Sequence, residues 1–259
     1  MADVNFESVG RGLFEPKSPE VPTSPALIGR NLPLYSTGLD WFDELTGGGI
    51  PRQGYALWGG VKNHGLRAVL SKIAEALQER HGFHLIGSSR SLETIEGEAV
   101  MARRNDPKRL ILLVVPSLFQ LYFDRVEHSD ETVRLEAINK ALLDIRYRTG
   151  CLILVCEEFE REPELSLSGE FCAPSTNSMR HVGSIVRSAS LLFSWYRPFL
   201  RHPTAGLEDL GVLRVERNRY CDRGFDYIAV KFEENGRVIQ KISKSKLPKI
   251  EEIDGIAGN

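Results

Sequence analysis

The chain has 259 residues, enough for one large domain, and its 42% hydrophobic and 26% charged composition is that of a globular protein. A formal net charge of -2 excludes a global positive field for nucleic acid, so any DNA contact requires a local patch. No apolar run approaches the roughly 18 residues that cross a bilayer, and the opening "MADVNFESVG" has neither the basic nor the apolar region of a signal peptide.

A cytoplasmic protein without membrane association is therefore expected. Cys151, Cys156, Cys172 and Cys221 form no C-x-x-C pair and read as reduced, mostly structural thiols.

Residues 1–34, with "EPKSPEVPTSPALIGRNLP", are too rich in Pro, Ser and Glu to bury a core and are expected to form a flexible N-terminal arm. From residue 35 to 240 the pattern is that of a folded core. "STGLDWFDEL" predicts a helix, with Ser36 or Thr37 as its cap and Leu39, Trp41, Phe42 and Leu45 on one face. "TGGGIPRQG" breaks it. "YALWGG" reads as a buried strand. "LRAVLSKIAEALQERHG" reads as an amphipathic helix closed by Gly82.

"FHLIG" predicts a strand, "SLETIEGEAVMARR" a helix capped by Ser91, and "RLILLVV" a strand inside a parallel sheet. "DETVRLEAINKALLDIRYRTG" is a long helix and "CLILVCEEF" a buried strand. A loop rich in Glu leads to a helix over "SMRHVGSIVRS". "ASLLFSWYR", "GVLRVERNR" and "FDYIAVKFEE" follow as strands, the last two adjacent. Strands alternating with helices give an α/β fold: a mostly parallel central sheet flanked by helices, with antiparallel C-terminal strands. Residues 241–259 form a tail, basic and then acidic. There is no internal repeat.

The entry segment carries a resemblance. Ser36, Thr37, Gly38, Leu39, Asp43, Leu45, Gly47, Gly48, Gly49, Ile50, Pro51 and Gly54 fall in register with the segment that precedes the phosphate-binding loop in the RadA, KaiC and DnaB branches of the RecA superfamily. The core thus resembles a RecA-like P-loop ATPase. The resemblance implies a G-x-x-x-x-G-K-[ST] loop between strand and helix. In "GGVKNHGLRAVL", Gly60 and Gly65 hold the two glycine positions, Leu66 stands for the lysine, and Arg67 stands for the Ser/Thr that holds Mg²⁺.

Other family positions also depart. Ser88 and Ser89 occupy the place of the water-activating Glu, with Glu93 on the next helix. Pro116 occupies the place of the Walker B Asp. Glu157 and Glu158 stand where a polar sensor is usual, and they would repel a γ-phosphate. Four losses on an intact scaffold predict a pseudo-ATPase with degenerate Walker A and Walker B motifs, no catalytic residue, no metal and no required cofactor. The retained glycines and helix N-terminus leave weak ATP or anion binding open. A divergent ATPase rebuilt from Lys62, His64 or Arg67 is the competing reading.

"LRVERNRYCDRG" resembles the segment whose basic residues reach a neighbouring subunit's nucleotide in DnaB and RadA assemblies. Arg217 and Arg219 match it, two residues apart and so on one strand face. The alternative is an exposed basic strand edge. Arg180, His181 and Arg187 are the candidate nucleic-acid contacts, because the preceding loop is strongly acidic. The functional expectation is a catalytically inactive RecA-fold paralogue, an assembly or mediator subunit in DNA recombination, repair or replication. Its expected partner is a catalytic RecA/RadA-like paralogue or another repair or replication protein; a homo-oligomer is also compatible, and DNA is reached through the complex. The alternative is a KaiC-like regulatory module that binds nucleotide or a protein partner without DNA.

Overall fold

A computed structural model describes residues 33–61, 64–87, 89–123, 130–159, 183–197, 209–221, 226–233 and 238–242. Nearly all of the expected N-terminal arm, and the expected tail after Ile242, lie outside these residues. The elements in chain order are β1 (Leu34–Tyr35), α1 (Asp40–Thr46), β2 (Ile50–Pro51), β3 (Gly54–Val61), α2 (Leu66–His81), β4 (His84–Ile86), α3 (Leu92–Asn105), β5 (Ile111–Val115), α4 (Glu131–Thr149), β6 (Leu152–Phe159), α5 (Gly183–Ser188), β7 (Leu191–Tyr196), β8 (Leu210–Asn218), β9 (Asp226–Phe232) and β10 (Val238–Ile242).

Eight strands form one sheet in the order β10-β9-β8-β7-β3-β6-β5-β4. β7, β3, β6, β5 and β4 pair in parallel, and β8, β9 and β10 continue antiparallel from β7. The central strands read as continuous apolar runs because both faces are covered. On one face, Phe42 of α1 stacks on Trp58 with ring centroids 5.6 Å apart. Trp58 in turn stacks on Phe193 at 4.2 Å, beside Val69, Ile73 and Leu77 of α2. On the other, α3 and α4 bury Ile95, Ala99, Leu135, Ile138 and Leu142 against Tyr55, Leu57, Ile153 and Val155.

The expected helices and strands form, with three differences. The expected cap at Ser36 or Thr37 is not made: α1 starts at Asp40, and its N-cap Leu39 makes no side-chain cap bond. Asp43 reaches back instead. Its Oδ1 accepts from the Thr37 amide (2.9 Å) and hydroxyl (2.8 Å), and its Oδ2 from the Ser36 hydroxyl (2.6 Å) and the Gly38 amide (3.0 Å). A carboxylate accepts more such bonds than one hydroxyl can, so it organises the segment.

The second difference is the β1–β2 pair: β2 lies in the stretch read as a break, and β1 comes before the expected first helix. Gly49 permits it: at φ 120°, a Cβ there would stand 2.0 Å from the Tyr35 carbonyl oxygen. The third is β10, which pairs antiparallel with β9. Its lack of a long apolar run leaves it unremarkable in the sequence. Cys151 and Cys156 are buried, and burial pushes their thiols up to about 11 and about 12; Cys172 lies outside the described residues. No helix among the described residues is long and apolar enough to cross a membrane.

Candidate functional site

The carboxyl ends of β3, β5 and β6 meet the N-terminus of α2, the place where open α/β sheets bind ligands. β3 ends at Val61. The chain turns through His64, whose amide donates to the Val61 carbonyl (3.1 Å), and enters α2 through Gly65 in the left-handed region at φ 80°.

Leu66, the first residue of α2, turns inward and is 2% exposed. A Cβ on Gly60 would lie 2.8 Å from Leu66 Cδ2 and 3.0 Å from its Cβ. The isobutyl group therefore packs directly on the backbone of the first loop glycine. Burying it contributes about 2 kcal/mol. An apolar group thus fills space beside the loop where the resemblance calls for an ammonium.

The loop is also fastened from β7. The Trp195 indole donates to the His64 carbonyl (2.6 Å), and the Arg197 amide donates to His64 Nδ1 (2.8 Å). Trp195 is fully buried and lies over Gly211 of β8, where a Cβ would come within 2.1 Å of its ring. His64 is buried and engaged at both its carbonyl and its ring, so it is not a loose cation available to the loop. Lys62 lies outside the described residues.

Arg67 points from the first turn of α2 toward β6, its Nε 3.8 Å from Glu158 Oε1, with both side chains partly exposed. A cation at a helix N-terminus opposes the helix dipole, and Glu158 offsets part of that cost. Glu157 faces the opposite side of the sheet and is buried. It accepts from the Leu118 amide (2.9 Å), from the Ser117 hydroxyl and from the Glu158 amide (3.3 Å). Burial pushes its carboxyl up to about 7, against the lowering effect of these donors.

Pro116, just past β5, presents no carboxylate. Ser117 begins a 3-10 turn at Leu118–Gln120, and Glu157 clasps that turn. Ser89 accepts from the Ser91 amide (3.1 Å), Ser91 caps α3 through the Thr94 amide (3.2 Å), and Glu93 stands exposed on the first turn of α3. Ser88 lies outside the described residues. Among the described residues, no group of three or more His, Cys, Asp or Glu is placed to hold a metal ion.

The other candidates separate. Arg217, within β8, donates from Nη1 to the carbonyls of Val186 (2.7 Å) and Ala189 (3.3 Å) around the end of α5. Burial and the neighbouring Arg219 charge hold its guanidinium below its ordinary value. β8 ends at Asn218, so Arg219 lies beyond the strand, exposed, and the expected shared strand face is not formed. Arg187 is exposed on α5, while Arg180 and His181 lie outside the described residues.

The clasp at Glu157 and the fastening of His64 by Trp195 and Arg197 were not read from the sequence. Pro116 followed by a serine is a local signal for the first, while the second joins residues more than a hundred positions apart and leaves no local signal.

No family model and no curated protein matches the chain. Among solved structures, one described as an ATPase domain aligns with a TM-score of 0.68 at 13% identity, over 83% of this chain and 93% of that one. A DnaB-like replicative helicase, in a structure that describes its interactions with primase, aligns with a TM-score of 0.58 at 13% identity. That match covers 80% of this chain and 61% of the helicase. The chain has the fold of a RecA-like ATPase domain. Within this fold Leu66 begins α2 after β3, Pro116 follows β5 and Glu157 lies in β6.

Proposed function

We propose that the protein is a RecA-fold subunit without ATPase activity, which assembles with or mediates the action of a catalytic partner in DNA recombination, repair or replication. The observation that carries this reading is the packing of Leu66 on Gly60. Phosphoryl transfer is catalysed chiefly by positioned charge, a lysine on the β/γ-phosphates and a metal held by hydroxyl and carboxylate. Leu66 offers no charge. Arg67 offers no metal-binding hydroxyl and is directed at Glu158. Pro116 offers no carboxylate to the metal. Glu157 is a carboxyl group, but it serves the Leu118 turn on the other face of the sheet. Fastening by Trp195 and Arg197 further opposes opening of the loop around a nucleotide.

The partner reading draws on the fold and on one exposed residue. The DnaB-like neighbour is described in contact with primase, which favours a replication or repair assembly for this chain too. Arg219 follows β8, exposed, in a segment that resembles the one whose basic residues reach across subunits in such assemblies, and its planar fork suits a phosphate.

The test is a DNA mobility shift and an ATPase assay on a catalytic RecA-like or DnaB-like partner, with and without this protein. The wild type is expected to shift DNA only with the partner and to alter the partner's rate. Arg219→Ala is expected to reduce that effect while its thermal melt stays unchanged. A protein that neither joins the partner nor alters its rate would contradict the assembly role. Nucleotide retained by the protein alone would instead favour a regulatory module.

A further inference from the structure

The far pole of the sheet, at the amino ends of β3, β4 and β5, holds a cavity of about 540 Å³. Four segments of the chain meet there. Arg52 comes from the β2–β3 turn, His81 from the end of α2, Lys108 and Arg109 from the α3–β5 turn, and Tyr35 from β1. Among the described residues, Asp106 is the one acidic side chain in the wall. Its Oδ1 is engaged in closing its own turn by accepting from the Lys108 amide (2.9 Å).

Basic residues are expected at this pole, because the helices end here and cations complement helix C-termini. Arg103 does that work, donating to the Thr149 carbonyl at the end of α4 (2.6 Å) and to the Pro107 carbonyl (2.5 Å). His81 is held by the Ser36 carbonyl (2.7 Å) and the edge of the Tyr35 ring. Arg52, Lys108 and Arg109 differ, because they lie in connections rather than in helices. Arg52 donates to the Lys108 carbonyl (3.2 Å), and among the described residues none of the three forms an ion pair. Burial first, and then the charge of nearby Arg52, hold the Arg103 guanidinium below its ordinary value, so positive charge is crowded here.

We propose that this cavity binds a phosphate-bearing polyanion through Arg52, Lys108 and Arg109. A carboxylate matches one guanidinium. Three cations around one opening match an ion with several charges and oxygens that accept from different directions, which is the chemistry of phosphate groups. The site is at the opposite end of the sheet from the Leu66 loop and is independent of whether that loop binds nucleotide. The phosphates come either from a small oligophosphate or from a nucleic-acid backbone.

The probe is tripolyphosphate, titrated calorimetrically into the full chain at fixed salt. Lys108→Glu/Arg109→Glu changes two exposed side chains, so its thermal melt should match the wild type. The double variant is expected to weaken binding on the order of tenfold or more, the range for losing a charge-assisted hydrogen bond. Lys72→Glu, on the solvent face of α2, is expected to leave it nearly unchanged. Equal losses in Lys72→Glu and in the double variant would mean diffuse attraction and overturn the proposal. So would absence of tripolyphosphate binding by the wild type, or a hexaglutamate peptide that binds at the same residues as tightly. Competition by a single-stranded oligothymidylate distinguishes the sources. Displacement in the wild type supports the site with a nucleic-acid backbone as occupant, and no displacement supports it with a small oligophosphate.

Discussion

At Arg217 two backbone carbonyls near the end of α5 converge on one guanidinium nitrogen, whereas Arg219 two residues later faces solvent. Removing the first leaves the Val186 carbonyl without its donor. Arg217→Ala is therefore expected to lower stability by about 1–3 kcal/mol. Arg219→Ala should change it by about 0.5 kcal/mol or less. Urea unfolding of the two variants checks this, and equal midpoints would mean that the Arg217 bonds contribute nothing.

Glu157 supplies a second test at the same scale. Its folded carboxyl is raised from 4.5 to about 7 by burial. A raised value means that the folded state holds its proton where the unfolded state has lost it. Its contribution is complete below about pH 4.5, declines as pH rises, and is gone above about pH 7. Glu157→Gln keeps an acceptor for the Leu118 amide and cannot ionise. It should flatten that decline, so between about pH 5 and pH 8 the variant gains on the wild type by up to about 3 kcal/mol. A decline identical in both proteins would place the titration elsewhere.

The elements around the loop make Leu66 an integral part of the fold. It joins the cluster of α2, Trp58 and Phe193 and closes on Gly60. Leu66→Ala is expected to cost about 2–5 kcal/mol in thermal or urea unfolding, the range for a buried leucine. A cost near zero would mean that the site collapses freely and the packing is incidental. Leu66→Lys/Arg67→Thr restores two side chains of the family pattern but leaves Pro116 and Ser89 in place. It is expected to give no ATP hydrolysis, and turnover by the double variant would mean that the metal- and water-placing positions are misassigned.

These elements were largely legible from sequence, because the apolar runs of β3, β5 and β6 and the 3.6-residue pattern of α2 are local signals. Ser91, Asp130, Gly82 and Gly150 mark helix ends in the same local way. Where the sequence misled, the determinant was distant or shared. Asp43 organises Ser36 and Thr37 by side-chain bonds across the turn, and β8 ends at Asn218, one residue short of Arg219. His64 looked like a spare cation because its partners, Trp195 and Arg197, lie more than a hundred residues away.

For the whole molecule, the scaffold and the chemistry separate. The sheet order, the helices on both faces and the antiparallel finish are those of a RecA-like ATPase domain, and the ends of β3, β5 and β6 still converge on one site. At that site stand a buried leucine, a proline and an arginine directed at glutamate, and the proposed lack of ATPase activity rests on their standing in place of the charges that stabilise phosphoryl transfer. The measurement that tests this most directly is ATP turnover by the purified protein with Mg²⁺, alone and with single-stranded DNA. Turnover at background in both conditions is predicted. Turnover above background that disappears in Lys62→Ala would contradict the account, because it would mean that a lysine from the loop has rebuilt the catalytic site.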